Sequence, residues 1–254
     1  MTAVVIVASL ALSGLLTYAL LDTRSRVREL ERKLVAADQA AHTDPLTGLA
    51  NRSGLNRGLS AQLAAAGPGD HLAIVMLDLD NLKQVNDRYG HDIGDAVIAQ
   101  VAARIARPRA HVVCSARLGG DEFVVLLAPQ ANPTKASQYA EQFAHALCAS
   151  IGQPMIADGQ PLSVTASAGV AAMPAEHMDR LMAAADKAMY RAKSTGVALC
   201  RYLPRVDGPV QPQHRPAHRL RDQVTDADAA AKRDRFTTVE SDEGWSDTSA
   251  GLLS

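Results

Sequence analysis

The stretch Val112-Val-Cys-Ser-Ala-Arg-Leu-Gly-Gly-Asp-Glu-Phe-Val-Val-Leu-Leu127 decides the fold. Two apolar runs, Val112–Leu118 and Phe123–Leu127, flank Gly119-Gly120. Glycine adopts the positive φ of a tight turn at no steric cost, so the pattern reads as an antiparallel hairpin. Upstream, Leu72–Leu77 (LAIVML) is a continuous apolar run and reads as a buried strand, followed by a helix over about Gly94–Ala106 through Val97, Ile98, Val101 and Ile105. Downstream, a helix is expected from about Pro133 to Ser150, a strand from Ser163 to Ala171, and a helix from about Ala175 to Ser194 stopped by Gly196. The order β-α-β-β-α-β predicts an α+β domain of ferredoxin-like topology with an antiparallel hairpin.

Carboxylates gather at the ends of these strands. The first strand runs straight into Asp78-Leu79-Asp80, and the hairpin turn carries Asp121 and Glu122. In this topology the two edges can be neighbours, and carboxylates side by side call for a cation. All-oxygen donors suit Mg²⁺ with a nucleoside triphosphate better than zinc. Gly119 and Gly120 also let a bulky ligand approach the backbone closely. Taken alone, the turn fits an ordinary solvated acidic loop equally well.

Blocks in order along the chain settle between these. They are Asp44-Pro-Leu-Thr-Gly-Leu-Ala-Asn-Arg52, Asp78-Leu-Asp-Asn-Leu-Lys-Gln-Val-Asn-Asp87, Gly90-His-Asp-Ile-Gly-Asp95, Arg117-Leu-Gly-Gly-Asp-Glu-Phe123, Ser167-Ala-Gly-Val170 and Ala185-Asp-Lys-Ala-Met-Tyr-Arg-Ala-Lys193. With them the chain resembles the GGDEF family of diguanylate cyclases, which have a nucleotidyl-cyclase fold, across essentially the whole middle domain. The resemblance implies condensation of two GTP to cyclic di-GMP in a homodimer, each copy holding half of the site. It implies Mg²⁺, with Mn²⁺ as the alternative, on Asp78, Asp121 and the Leu79 carbonyl. Glu122 would lie beside the ribose 3′-hydroxyl as a base or as a further metal ligand, so Asp121 and Glu122 are the catalytic pair. Asn86 and Asp95 would read the guanine edge, and Lys83, Lys187 and Arg191 would contact phosphates. His91 either touches substrate or organises its loop. The Asp44–Arg52 block reads as the loop by which the chain enters the domain, organising structure rather than performing catalysis.

Departures from the pattern also carry meaning. Many members have an inhibitory Arg-x-x-Asp beginning nine residues before the first hairpin glycine; here those positions are Ala110 and Val113. Neither side chain can hold an anion by charge, so product inhibition through that site is not expected. Leu82 stands where Phe is usual, one apolar residue for another, and Val197-Ala198 replace a frequent Arg-Asn.

The flanks read differently. Thr2–Leu21 carries no charged residue and is followed by Arg24, Arg26 and Arg28, which predicts a membrane helix over residues 1–22 with the rest in the cytoplasm, at the inner membrane, rather than a cleaved signal. Over residues 23–41, Val27, Leu30, Leu34, Ala37 and Ala41 alternate by three and four, an a/d seam for a parallel coiled coil or else a single helix lying on the domain. The cyclase domain is placed at 42–204 and a disordered tail at 205–254. The net charge of −1 argues against a nucleic-acid partner. Three dispersed cysteines, without CxxC spacing, read as buried reduced thiols. Aromatics at 4% leave a core of Ala, Val, Leu and Ile, and nothing in the sequence identifies a regulatory partner.

Overall fold

A computed structural model describes residues 2–211, with side chains from Gly14 onward. The chain opens with α1 (Thr2–His42) and α2 (Arg52–Ala65), then β1 (His71–Leu79), α3 (Leu82–Tyr89), α4 (His91–Ile105), β2 (Val112–Gly119) and β3 (Glu122–Gln130). It continues through α5 (Pro133–Ile151), a small hairpin of β4 (Met155–Ala157) and β5 (Gln160–Leu162), β6 (Ala166–Pro174), α6 (Met178–Thr195), β7 (Leu199–Arg201) and the single turn α7 (Pro204–Asp207).

The main sheet has the order β2-β3-β1-β6-β7, antiparallel except for the last pair. The β-α-β-β-α-β core expected from the sequence is therefore present, with β7 added in parallel at the edge. Side chains of β1 alternate between two layers. Ala73, Val75, Leu77 and Leu79 pack into a core with α4 and α5, whereas Leu72, Ile74 and Met76 pack with α2 and α6. Period-two alternation then sends Asp78 to the α6 side. The approach of α6 is close because Gly169 of β6 has no side chain: a Cβ there would collide with the Ala185 carbonyl oxygen and the Met189 amide nitrogen.

Several expectations need correction. Helix α2 was not anticipated; Asn51 caps it, its side chain accepting from the Gly54 amide. The helix expected over about Gly94–Ala106 is α4, starting earlier at His91, and α3 before it was not anticipated; the two are separated at Gly90, whose φ of 90° no helix accommodates. The strand expected from Ser163 begins at Ala166. Of the expected tail, residues 205–211 are described and contact α6 through Asp207 and Pro209, and 212–254 lie outside the described residues.

At the N-terminus one helix, 41 residues long, covers both the expected membrane span and the expected coiled coil. Among the described residues no helix is long and apolar enough to cross a membrane, so the span over 1–22 is not supported. The described apolar part, Gly14–Leu21, is short and meets Asp22 and Arg24 at once, while the side chains of residues 2–13 lie outside the description. Val27, Leu30 and Leu34 are exposed, so the seam residues are not packed on the domain, which α1 meets nearer its C-terminal end, where Asp38 pairs with Arg57 of α2. All three cysteines are free, Cys200 buried and the others half-buried; burial pushes the Cys148 thiol up to about 11.

Candidate active site

Strand register builds the site. Asp78 of β1 pairs with Glu122 of β3 and with Ser167 of β6, and the Leu79 amide donates to the Asp121 carbonyl at 3.1 Å. Asp78 and Glu122 thus share the α6 side of the sheet. Gly120 and Asp121 form the turn, with φ of 139° at Gly119 and 57° at Gly120, conformations that glycine provides readily.

Asp78 is fully buried and forms an ion pair with Lys193 of α6. Burial pulls the Lys193 ammonium below its usual range, while Asp121, Asp80 and Glu122 act in the opposite direction. One ammonium therefore lies in the field of carboxylates from β1 and from the hairpin. Asp80 is held elsewhere: Ser167 and Thr165 hydroxyls donate to its oxygens at 2.8 and 2.7 Å, and its amide donates to the Thr165 carbonyl. It acts on Lys193 electrostatically from this position.

Among the described residues no three His, Cys, Asp or Glu side chains are grouped to hold a metal by themselves. The donor set still fits a hard divalent cation, because Asp78, Asp121 and Glu122 offer only oxygens and already attract a cation, the Lys193 ammonium. A backbone carbonyl and substrate phosphates would complete the coordination that Mg²⁺ usually takes.

Asn86 of α3 packs against Gly94 of α4, where a Cβ would collide with its Oδ1. That buried Oδ1 has no hydrogen-bond partner. Asp95, next to Gly94, is exposed, as are His91 at the start of α4 and Lys83 on the first turn of α3. The structure thus brings Asn86 beside the Gly94-Asp95 step and leaves Lys83 and His91 on the surface.

Lys187 and Arg191 are not brought to the carboxylates. They lie on another face of α6, where Lys187 donates to the carbonyls of Asp207 and Pro209 and Arg191 pairs with the Asp207 carboxylate. Lys193, which the sequence reading passed over, is the α6 cation at the site. Its signal was present, since a residue two positions from Arg191 faces a different side of a helix.

The hairpin is braced from the entry loop. Arg117 Nε and Nη2 donate to the Gly120 carbonyl at 3.0 and 2.9 Å, and its Nη1 reaches both Asp44 oxygens at 3.2 and 3.3 Å. Burial pushes the Asp44 carboxyl up, but bonds from Thr47 and Arg117 outweigh this and hold it below its usual value. The stabilisation linked to Asp44 is accordingly present above its unfolded value, roughly pH 4, and lost as pH falls through the lower folded value. Asp44→Asn should cost about 1–3 kcal/mol at neutral pH and progressively less on acidification, as read by urea denaturation at pH 7 and pH 3.5.

An α+β sheet domain in which a buried carboxylate at the end of the central strand, Asp78, lies beside the half-buried Asp121 and Glu122 of a Gly-Gly hairpin is the class this geometry defines. The diguanylate cyclase GGDEF domain matches residues 41–198, and the chain belongs to the GGDEF family. It is 39% identical over 160 residues to diguanylate cyclase DgcP of Pseudomonas aeruginosa, covering 62% of this chain and 23% of DgcP. It is 39% identical over 181 residues to diguanylate cyclase TpbB of the same species, covering 69% of this chain and 40% of TpbB. The chain thus spans well under half the length of these relatives. Among solved structures, the coiled coil and GGDEF domain of DgcB from Caulobacter crescentus, in complex with c-di-GMP, superposes with a TM-score of 0.62 at 28% identity, covering 73% of this chain and 98% of that one.

Proposed function

We propose that this domain is a diguanylate cyclase working as a pair. Each copy binds one GTP, and each 3′-hydroxyl attacks the α-phosphate of the other, releasing two pyrophosphates and closing cyclic di-GMP. The observation that carries this reading is the register pairing of Asp78 with Glu122 on the α6 side of the sheet, facing Lys193.

A divalent cation, Mg²⁺ or Mn²⁺, on Asp78, Asp121 and the Leu79 carbonyl would neutralise triphosphate charge and polarise the α-phosphate. Glu122, fixed by strand pairing, receives the proton of the attacking hydroxyl. Lys193, released from Asp78 as the substrate enters, pairs with phosphate oxygens. Asn86 and Asp95 select guanine, and the unsatisfied Asn86 Oδ1 is an acceptor for a base N–H. Pairing of two domains falls to α1, whose exposed Val27, Leu30 and Leu34 continue a heptad seam; tethering raises the effective concentration of one half-site for the other. The domain acts in the cytoplasm, where GTP is available, and its regulatory input enters through α1.

Incubating the purified chain with GTP and Mg²⁺ tests the reading: cyclic di-GMP and pyrophosphate in a 1:2 ratio are expected. Absence of product from a chain shown to be dimeric overturns it. Ala110 is exposed and Val113 is 38% exposed, with no charge to hold an anion, so added cyclic di-GMP should leave the initial rate unchanged at micromolar concentrations. Inhibition that vanishes on changing either residue would contradict this.

A further inference from the structure

The segment after β7 is a strap bound to the outside of α6. Asp207 is its centre, with a side chain 3% exposed. Its oxygens accept from Arg191 Nε at 2.8 Å and Nη2 at 3.2 Å, and from the Leu203 amide at 2.7 Å. Arg191 Nη2 also reaches the Arg201 carbonyl at 2.6 Å, and Lys187 donates to the carbonyls of Asp207 and Pro209 at 3.0 Å. Tyr202 closes the loop by donating to the Gly208 carbonyl at 2.8 Å, and Val210 packs on the apolar layer that α6 shares with α2.

A bidentate carboxylate–guanidinium pair with its carboxylate buried and further backbone bonds is a geometrically demanding contact. It falls on the last two turns of α6, which also carry Lys193. The inner side of those turns is lined by Ala188, Met189 and Ala192, apolar residues that make no hydrogen bond to hold the helix in one position. The strap supplies the directional contacts that the apolar face lacks.

We propose that Asp207 is a positioning residue for the carboxylate site: by clasping Arg191 it fixes the end of α6, and α6 in turn fixes Lys193 against Asp78. The inference rests on the cyclase reading for its kinetic consequence, but its structural consequence can be read without turnover. Small displacements of a positioned group have large kinetic effects, so roughly tenfold higher KM for GTP, with a smaller change in kcat, is expected of Asp207→Asn in the full-length chain.

The test compares wild type, Asp207→Asn, Arg191→Lys and Lys187→Gln. Steady-state rates against GTP are measured well below each melting temperature, alongside hydrogen–deuterium exchange of segments 76–81, 186–196 and 201–211. The proposal expects faster exchange in all three segments for Asp207→Asn, a raised KM, and an intermediate effect for Arg191→Lys, which keeps charge but loses the fork. Faster exchange confined to 201–211 with unchanged KM would show a clasp that stabilises only itself, and would overturn the proposal. Should Asp207→Asn not fold, the same comparison is made on the two milder variants. If wild type makes no cyclic di-GMP the cyclase reading fails, and exchange at 76–81 still decides the positioning role.

Discussion

Asp78→Asn should leave a folded domain with turnover reduced by at least about 100-fold, more than the 10–100-fold typical of losing a group that merely supports a metal ligand. The substitution is isosteric, so packing at the β1 end is retained, but the carboxylate that pairs with Lys193 and anchors the cation is gone. Lys193 would not be stranded, because Asp121, Asp80 and Glu122 still act on it. Melting temperature should therefore fall far less than a broken buried ion pair usually implies. Rates with GTP and Mg²⁺, paired with thermal denaturation, check both halves. Activity near wild type would remove Asp78 from the mechanism, and the proposed function with it.

Gly169→Ala should be strongly destabilising. The new Cβ meets backbone of α6, the Ala185 carbonyl and the Met189 amide, neither of which can rotate away as a side chain would. Overpacking of this kind costs about 3 kcal/mol or more, which for a domain of this size lowers the melting temperature by roughly 6–12 °C. Relief requires α6 to lift from β6, and Lys193 travels with it. A thermal melt measures the first effect and the KM for GTP the second. Unchanged values of both would mean that α6 does not sit on β6 as described.

The sheet was legible because its evidence is local and periodic: LAIVML and the paired runs around Gly119-Gly120 allow few alternatives. Helix α2 was hidden because Gly54, Gly58 and scattered polar residues weaken both propensity and pattern, and its place is set by packing of Leu55 and Leu59. Of the site, Asp78, Asp121 and Glu122 follow from strand ends and a turn, and strand pairing brings them together. The α6 cations do not follow so simply. Lys187, Arg191 and Lys193 look alike in sequence, and only the orientation of the helix, packed closely on β6 at Gly169, separates the one at the carboxylates from the two at the strap. The strap itself was read as tail because Asp207 finds its partners through space, in a stretch with little apolar periodicity.

The alternation along β1 has a consequence for how this domain tolerates change. Its residues go by turns to two separate cores, so the strand keeps count, and the count places the carboxylate next to its end. Removing or inserting one residue between Leu72 and Leu77 would preserve an apolar strand of nearly the same composition. It would also point Asp78 into the layer shared by α4 and α5 and offer Leu79 to Lys193. Substitution among Val, Ile, Leu and Met along this strand is a matter of degree, whereas a change in its length by one is a change of parity.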